Sequence, residues 1–379
     1  MTVTRHGDSG GGGPHFDDLV VGQVFDSAPS MTITAGIAAT HQAITGDRLR
    51  LALDAELSRA VLGGPGQLAH PGLVCDVAIG QSTLVTQRVK ANLFYRGLSF
   101  HRFPVIGEPR QLAHPGLVCD IAIGQSTVVT QRVKANLFYR GLIFHRFPVI
   151  GDTLSTRTEV VGLKRNSAKP DRAPTGLAAL RMTTVDQAGH LVLDFYRCAM
   201  LPCSTDTGDT GHDDDLSQIG VGSAPAADPT RHWDADAFRR RVPGPHFDAD
   251  MAGSVLRSTG DVVTCAPELA RLTLNIAATH HDSRVSGRRL VYGGHTIGLA
   301  LAQASRLLPN LVTVLGWQSC DHTGPVYEGD TLYSDLHIEA AEELPGDRGG
   351  VLSLRSLVSA AGDGEDRPVL DWHWRALFF

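Results

Sequence analysis

In the last third of the chain Ile297, Ala300, Leu301, Ala304, Leu307 and Leu308 recur at three- and four-residue steps, which predicts a helix. Leu299 and Ala302 make its other side apolar too, so this helix requires burial all round. After Pro309 the period changes to two. LYSDLHIEA sets Leu332, Leu336 and Ile338 against Tyr333, Asp335 and His337, and VLDWHWRAL sets Leu370, Trp372 and Trp374 against Asp371, His373 and Arg375. One buried helix followed by antiparallel strands predicts an α+β layout, a curved antiparallel sheet wrapped around a central helix. The first half carries the same order, with PGLVCDVAIGQSTLVTQ as helix and ANLFYRGL, LSTRTEVVGL, GLAALRMTTV and LVLDFYRCAML as strands.

Two repeats of different ages run through the text. PHFDDLVVGQVF at Pro14 is echoed by PHFDADMAGSVL at Pro245, and PVIGDTLSTRTEV at Pro148 by PVYEGDTLYSDLHI at Pro325. The expected organisation is a disordered tail over 1–13, an N-terminal half over 14–203, a linker over 204–244 and a C-terminal half over 245–379. Within the linker, Asp213 to Asp215 is read as a solvated loop. The second repeat is nearly exact: residues 67–107 return at 111–151, a shift of 111 − 67 = 44, with differences only at Val77/Ile121, Leu84/Val128 and Ser99/Ile143. Solenoid repeats drift because each copy meets a different neighbour, so this is a recent tandem duplication or an artefact of assembly, not a repeat architecture.

Composition narrows the function classes. The 379 residues are 42% hydrophobic and 20% charged, an ordinary globular balance sufficient for two cores. A net charge of −6 offers no basic field for a nucleic acid or an anionic membrane, and no apolar run reaches the ~20 residues of a membrane span. A cytoplasmic protein with no nucleic-acid or membrane partner is expected. The six cysteines form no CxxC pair, so they are read as reduced thiols, Cys198 and Cys203 as small buried hydrophobes.

The chemistry concentrates in NIAATHHDSRVSGRRLVYGGH, from Asn275 to His295, where histidines and an aspartate precede a glycine pair and the apolar helix. Here the text resembles the MaoC-like hydratases of the hotdog fold, in the two-domain form that includes mesaconyl-CoA-type hydratases and mycobacterial double-hotdog proteins. The likeness covers most of residues 14–379. It implies a double hotdog, an Asp-x4-His-x-Asp pattern ahead of the turn that opens the central helix, and reversible addition of water to a trans-2-enoyl-CoA. Each half departs from the pattern. Asp47 and Asp54 fit in the first half with Ala52 at the histidine place; His280 and Asp282 fit in the second with Asn275 at the first aspartate, every offset being 228 (275 − 47, 280 − 52, 282 − 54). The string IAATH, shared at an offset of 276 − 37 = 239, is taken as a chance match in another register.

Hydrating an enoyl thioester takes a base for water, an acid for the α carbon, and donors for the developing enolate oxygen. His280 is the expected acid/base. Gly294 opens the helix, so its N–H and the positive helix end face the enolate oxygen. Asn275 holds a water or the thioester by hydrogen bonding, and Asp282 orients His280 or caps the following turn. Gly293 and Asp47 are candidates for substrate contact, Asp47 with a structural role as the alternative. His281 is read as structural or solvent-facing, and His295 as packing near the helix start. A metal held by His280, Asp282 and His295 is the minor alternative; the expectation is no metal and no cofactor. Lys164 and Arg165 are read as a solvated strand end, with CoA phosphates as the alternative. The expected partner is an acyl-CoA thioester, and the chain a monomer of two hotdog halves or a homodimer. A non-catalytic acyl-thioester binder or scaffold, and after it a thioesterase, are the competing functions.

The duplication poses a packing problem, because only one buried helix fits one sheet. One copy is expected in the native place and the other extruded or packed outside, exposing an apolar face. Limited proteolysis is therefore expected to cut within residues 67–151, and complete resistance there contradicts extrusion.

Overall fold

The computed structural model describes residues 14–32, 34–63, 94–100, 121, 122, 125, 126, 129, 135–144, 152–167, 173–204, 210–221, 230–285, 287–362 and 364–379, with 94–100 and 135–144 as backbone only. The expected tail and the copy-one helix, 71–87, lie outside the described residues.

The N-terminal half contributes strands β1 (Val24–Phe25), β2 (Met31–Thr32), β3 (Phe94–Phe100), β4 (Ala135–Phe144), β5 (Thr153–Arg165), β6 (Thr175–Val185) and β7 (Leu191–Pro202). It also carries helices α1 (Ala35–Thr45), α2 (Arg50–Leu53) and α3 (Ala55–Leu62). The C-terminal half holds β8 (Val255–Arg257), β9 (Asp261–Val262), β10 (Leu311–Asp321), β11 (Thr331–Glu343), β12 (Gly350–Ala360) and β13 (Arg367–Phe378). Its helices are α5 (Ala266–Leu272) and α6 (Gly293–Leu307), with α4 (Ala235–Arg241) just before it. The strands join in one sheet in the order β1-β5-β6-β7-β4-β3-β10-β13-β12-β11-β8, with β2 on β5 and β9 on β11.

The helix expected in the second half is α6, buried without a break from Gly293 to Ser305. It packs on β11 and β12. Its buried Gln303 donates to the carbonyl of Leu332 at 2.9 Å and to the carboxylate of Asp261 at 2.8 Å. The expected alternation also holds, with Leu332, Leu336, Ile338, Leu370, Trp372 and Trp374 all buried. Trp372 stacks on Trp374 with centroids 4.6 Å apart and meets Trp317 edge-on at 5.4 Å. Burial of such a ring contributes roughly 1.5–3 kcal/mol, so this indole cluster anchors the C-terminal core.

Copy two of the duplicated segment occupies the corresponding place in the first half. Ile121, Ala122 and Gln125 are helical and buried, and Gln125 donates to the carbonyls of Pro29 and Leu154, each at 2.6 Å. The Leu154 bond repeats the bond of Gln303 to Leu332, both members being displaced by 178 (303 − 125, 332 − 154). The expectation that the other copy is extruded is corrected at its strand. β3, from copy one, lies inside the sheet between β4 and β10. Both copies take the same register on β7, since Tyr95 and Tyr139 are each paired with Arg197, and Arg96 and Arg140 with Tyr196. An unpaired strand edge draws in any chain of matching pattern, and these two segments are nearly identical.

The segment expected to link the halves is built onto the fold. The Asp214 carboxylate accepts the Leu163 amide at 2.8 Å, Asp213 bridges to Lys164, and Leu216 packs with Ala179 and Cys198. Asp213 to Asp215 are all exposed, as the solvated-loop reading expects, while Asp213 and Asp214 also tie the loop to the β5 edge. Further on, α4 sets Phe238 against Phe379, centroids 5.6 Å apart. Among the described residues, no helix is long and apolar enough to cross a membrane.

Because two copies contend for one ladder, deleting residues 67–110 is expected to leave the fold intact and to raise or preserve the melting temperature. A deletion variant that fails to fold would show that copy one is an indispensable strand.

Candidate active site

The two halves repeat the same turn at the offset of 228. Asp47 accepts the Leu49 amide at 2.7 Å, and Asn275 the Ala277 amide at 3.1 Å. The amide of Ala52 donates to Leu49 at 3.1 Å and that of His280 to Ala277 at 3.0 Å; those of Asp54 and Asp282 donate to Arg50 and Ala278, both at 2.8 Å. The IAATH strings lie in different places, one in α1 and the other in the turn after α5. The site pattern therefore exists twice as backbone and once as imidazole, because Ala52 brings no side chain chemistry to the first turn.

At the second turn His280 is 2% exposed. Its Nδ1 lies 2.9 Å from the carbonyl oxygen of Leu290. A carbonyl only accepts, so Nδ1 carries the proton and Nε2 presents its lone pair. Nε2 has no partner among the described residues. The ring meets Tyr292 edge-on, centroids 5.8 Å apart. Leu290 is itself fixed: it bridges to Tyr327, and the next amide, of Val291, donates to Val326 at 2.8 Å. Burial drives the His280 pKa down to about 3, partly opposed by the Leu290 bond. The group is a neutral, oriented base.

Tyr292 precedes the first residue of α6, and no side chain caps this helix. A helix start has unpaired N–H groups, and here Gly293 and Gly294 bury them with no capping oxygen. Asn275 adds another buried donor, since its Nδ2 has no partner among the described residues. Three kinds of unsatisfied group therefore sit at one end of the fold: an imidazole lone pair, an amide N–H2 and a helix N-terminus.

Other expected residues take different places. Of the two roles expected for Asp282, the structure shows capping of the following turn: the carboxylate accepts the Arg284 amide at 3.0 Å and the Arg284 guanidinium at 2.6 Å, while the Leu290 carbonyl holds His280. That guanidinium holds the Asp282 carboxyl down at about 2. His281 points to structure, its Nε2 lying 2.6 Å from the Asn275 carbonyl oxygen. Asp47 is fully buried and folds back on its own turn, and Lys164 pairs with Asp213 at 3.2 Å. Among the described residues no group of three or more His, Cys, Asp or Glu side chains is placed to hold a metal ion. Two parts of the site escaped the sequence reading: the Leu290 carbonyl, since a backbone acceptor has no residue signature, and Tyr292, whose place just before the glycine pair was a usable signal.

No family model matches the chain. A solved structure of RV0216, a conserved hypothetical protein from Mycobacterium tuberculosis with a double hotdog fold, is 62% identical, covers 97% of this chain and 99% of that one, and superposes with a TM-score of 0.82. The chain belongs to the double-hotdog family that this structure represents. Two further relatives have curated activities. The β-methylmalyl-CoA dehydratase of Chloroflexus aurantiacus is 28% identical over 237 residues, 59% of this chain and 64% of that protein. The mesaconyl-CoA hydratase of Cereibacter sphaeroides is 30% identical over 222 residues, 56% of this chain and 62% of that protein. Both matches span slightly less than two thirds of the relative.

Burial also makes the fold acid-sensitive. It lowers the pKa of His280 and His322 to about 3 and of His295 to about 4, and that of His41 well below normal. Each binds a proton near pH 6.5 when unfolded but much lower when folded, so stability falls as pH drops from about 6.5 toward 3. The expected slope approaches about 1.4 kcal/mol per pH unit for each such histidine. Denaturant titrations at pH 7 and 5 check this; equal midpoints contradict it.

Proposed function

We propose that the chain interconverts a trans-2-enoyl-CoA and a 3-hydroxyacyl-CoA at one site in the C-terminal half. The observation that carries this reading is the pairing of the free Nε2 of His280 with the uncapped glycine start of α6. In the hydration direction, His280 Nε2 takes a proton from water as the water oxygen bonds to the β carbon. The electron pair of the C=C bond moves onto the thioester oxygen, where the Gly294 N–H and the positive end of α6 stabilise it. The same proton then returns from Nε2 to the α carbon. One imidazole thus serves as base and then acid, which fits a site with asparagine where the family pattern has aspartate. Asn275 Nδ2 donates to water or to the thioester oxygen, and Gly293 lets the thioester approach the helix end. The mechanism uses no cofactor, and an acyl-CoA partner and a cytoplasmic setting go with it.

The low basicity of His280 in the empty site is offset during the reaction, because enolate charge developing nearby favours the imidazolium. The second reading, an acyl-thioester binder without chemistry, is favoured by Ala52 and Asn275, which remove one histidine and one carboxylate from the paired pattern.

Crotonyl-CoA is expected to lose its enoyl absorbance on incubation with the protein. His280→Ala is expected to lower kcat by roughly 100- to 10,000-fold. Full activity in that variant overturns the site. Binding without turnover by the wild type points to the second reading, and release of free CoA to a thioesterase.

A further inference from the structure

His280 can act as a base only while Nε2 stays bare, and one bond decides that: the bond from Nδ1 to the Leu290 carbonyl. Leu290 lies outside strands β1 to β13. It is placed by an isolated bridge to Tyr327 and by the neighbouring Val291 amide, which donates to Val326. The state of the imidazole therefore depends on how firmly residues 288–291 lie against the turn 326–330.

One carboxylate ties these two segments together. Asp330, its side chain 13% exposed, accepts the Tyr327 amide and the Arg367 guanidinium on one oxygen, both at 2.9 Å, and the Arg288 guanidinium on the other at 3.4 Å. Arg288 is two residues before Leu290, and its guanidinium stands 4.2 Å from the centre of the Tyr327 ring. Arg367 also donates to the Pro325 carbonyl, at the start of the turn. Hydrogen bonds from a guanidinium to a carboxylate are stronger than neutral ones, and low exposure limits their screening by water. Both partners of the Leu290–Tyr327 bridge are thus fastened through Asp330.

A carboxylate recurs at this place in the first half, where Asp152 (330 − 152 = 178) accepts the side-chain amide of Gln187 at 2.8 Å. The carboxylate belongs to the repeated turn, and the second half adds an imidazole for the turn to orient. A purely structural role is therefore the competing reading, and the decisive measurement is one made on the imidazole itself.

Resting on the assignment of His280 as acid/base, we propose that Asp330 is a positioning residue of the hydration site. With Arg288 and Arg367 it holds the Leu290–Tyr327 bridge, and through the Leu290 carbonyl it keeps the proton of His280 on Nδ1 and leaves Nε2 bare. Asp330→Asn preserves the shape but sets an N–H2 group where two guanidiniums and an amide converge. The bridge then loosens, the ring proton is shared between the two nitrogens, and fewer rings are ready to take a proton from water.

Nitrogen-15 NMR of the His280 ring, assigned by the signals lost in His280→Gln, reports which nitrogen carries the proton near pH 7. The wild type is expected to show the Nδ1–H form alone, and Asp330→Asn both tautomers. With crotonyl-CoA, kcat of that variant is expected to fall about tenfold while KM stays within about twofold of wild type. Arg288→Gln, which leaves the Tyr327 amide bond in place, is expected to move the tautomers the same way by less. A folded Asp330→Asn with wild-type ring signals overturns the proposal, whatever its melting temperature. Mixed tautomers in the wild type overturn it too, as does a shifted tautomer with unchanged kcat. If the wild type hydrates no enoyl-CoA, the hydratase reading fails separately, and the ring signals alone decide the role of Asp330. Should Asp330→Asn not fold, Arg288→Gln decides by the same signals, and unchanged ones there overturn the proposal.

Discussion

The start of α6 holds more hydrogen-bonding capacity than the protein itself uses, and the surrounding structure is arranged so that this capacity persists. The Leu290 carbonyl takes the Nδ1 proton of His280 and so leaves Nε2 as a bare acceptor. Tyr292 stands at the cap position without capping, which leaves the glycine amides free. Each of these groups is buried, where an unmade hydrogen bond costs about 1–3 kcal/mol. A fold carries such a burden where a ligand relieves it, and the apolar body of α6 and the tryptophan cluster supply the stability that offsets it.

The two halves divide this labour unequally. Their backbones agree in the turn at Asp47 and Asn275 and in the glutamine that ties each central helix to its sheet. Their side chains do not, since Ala52 occupies the position that His280 fills in the other half. The first half also packs on the second: α1 lies against α6, Thr45 closes over Gly298, and the Arg50 guanidinium reaches the Pro309 carbonyl at 2.9 Å. Loss of a functional group in one half leaves the joint core intact because the core depends on backbone turns and apolar contacts that the loss does not touch.

The tandem duplication adds a different constraint. A sheet edge recognises a strand by its backbone and its alternation, not by its position in the chain. Two segments differing at three positions in 41 therefore present the edge of β7 with equivalent partners. The result is a junction in which β3 and β4 run parallel between β7 and β10, with Ser99 beside Ile143 at the same repeat position. Extrusion of a whole copy was expected from the space available for one helix, but a strand needs only a free edge.

By itself the sequence determined the buried all-round helix and the alternating strands of an α+β layout, which follow from a periodicity written directly in the chain; the double hotdog, the offset that aligns the halves and the candidacy of His280 and Gly294 came from the resemblance to the MaoC-like hydratases. Tertiary structure alone decided which acceptor orients His280, that Asp282 turns to Arg284, that Asp214 ties to β5, and that Thr45 of α1 closes over Gly298 of α6. Those outcomes depend on contacts between segments far apart in the chain, as between α1 and α6, and often on backbone atoms that every residue shares. No local pattern encodes them, because their energy comes from burial and geometry that exist only once both halves have closed on each other.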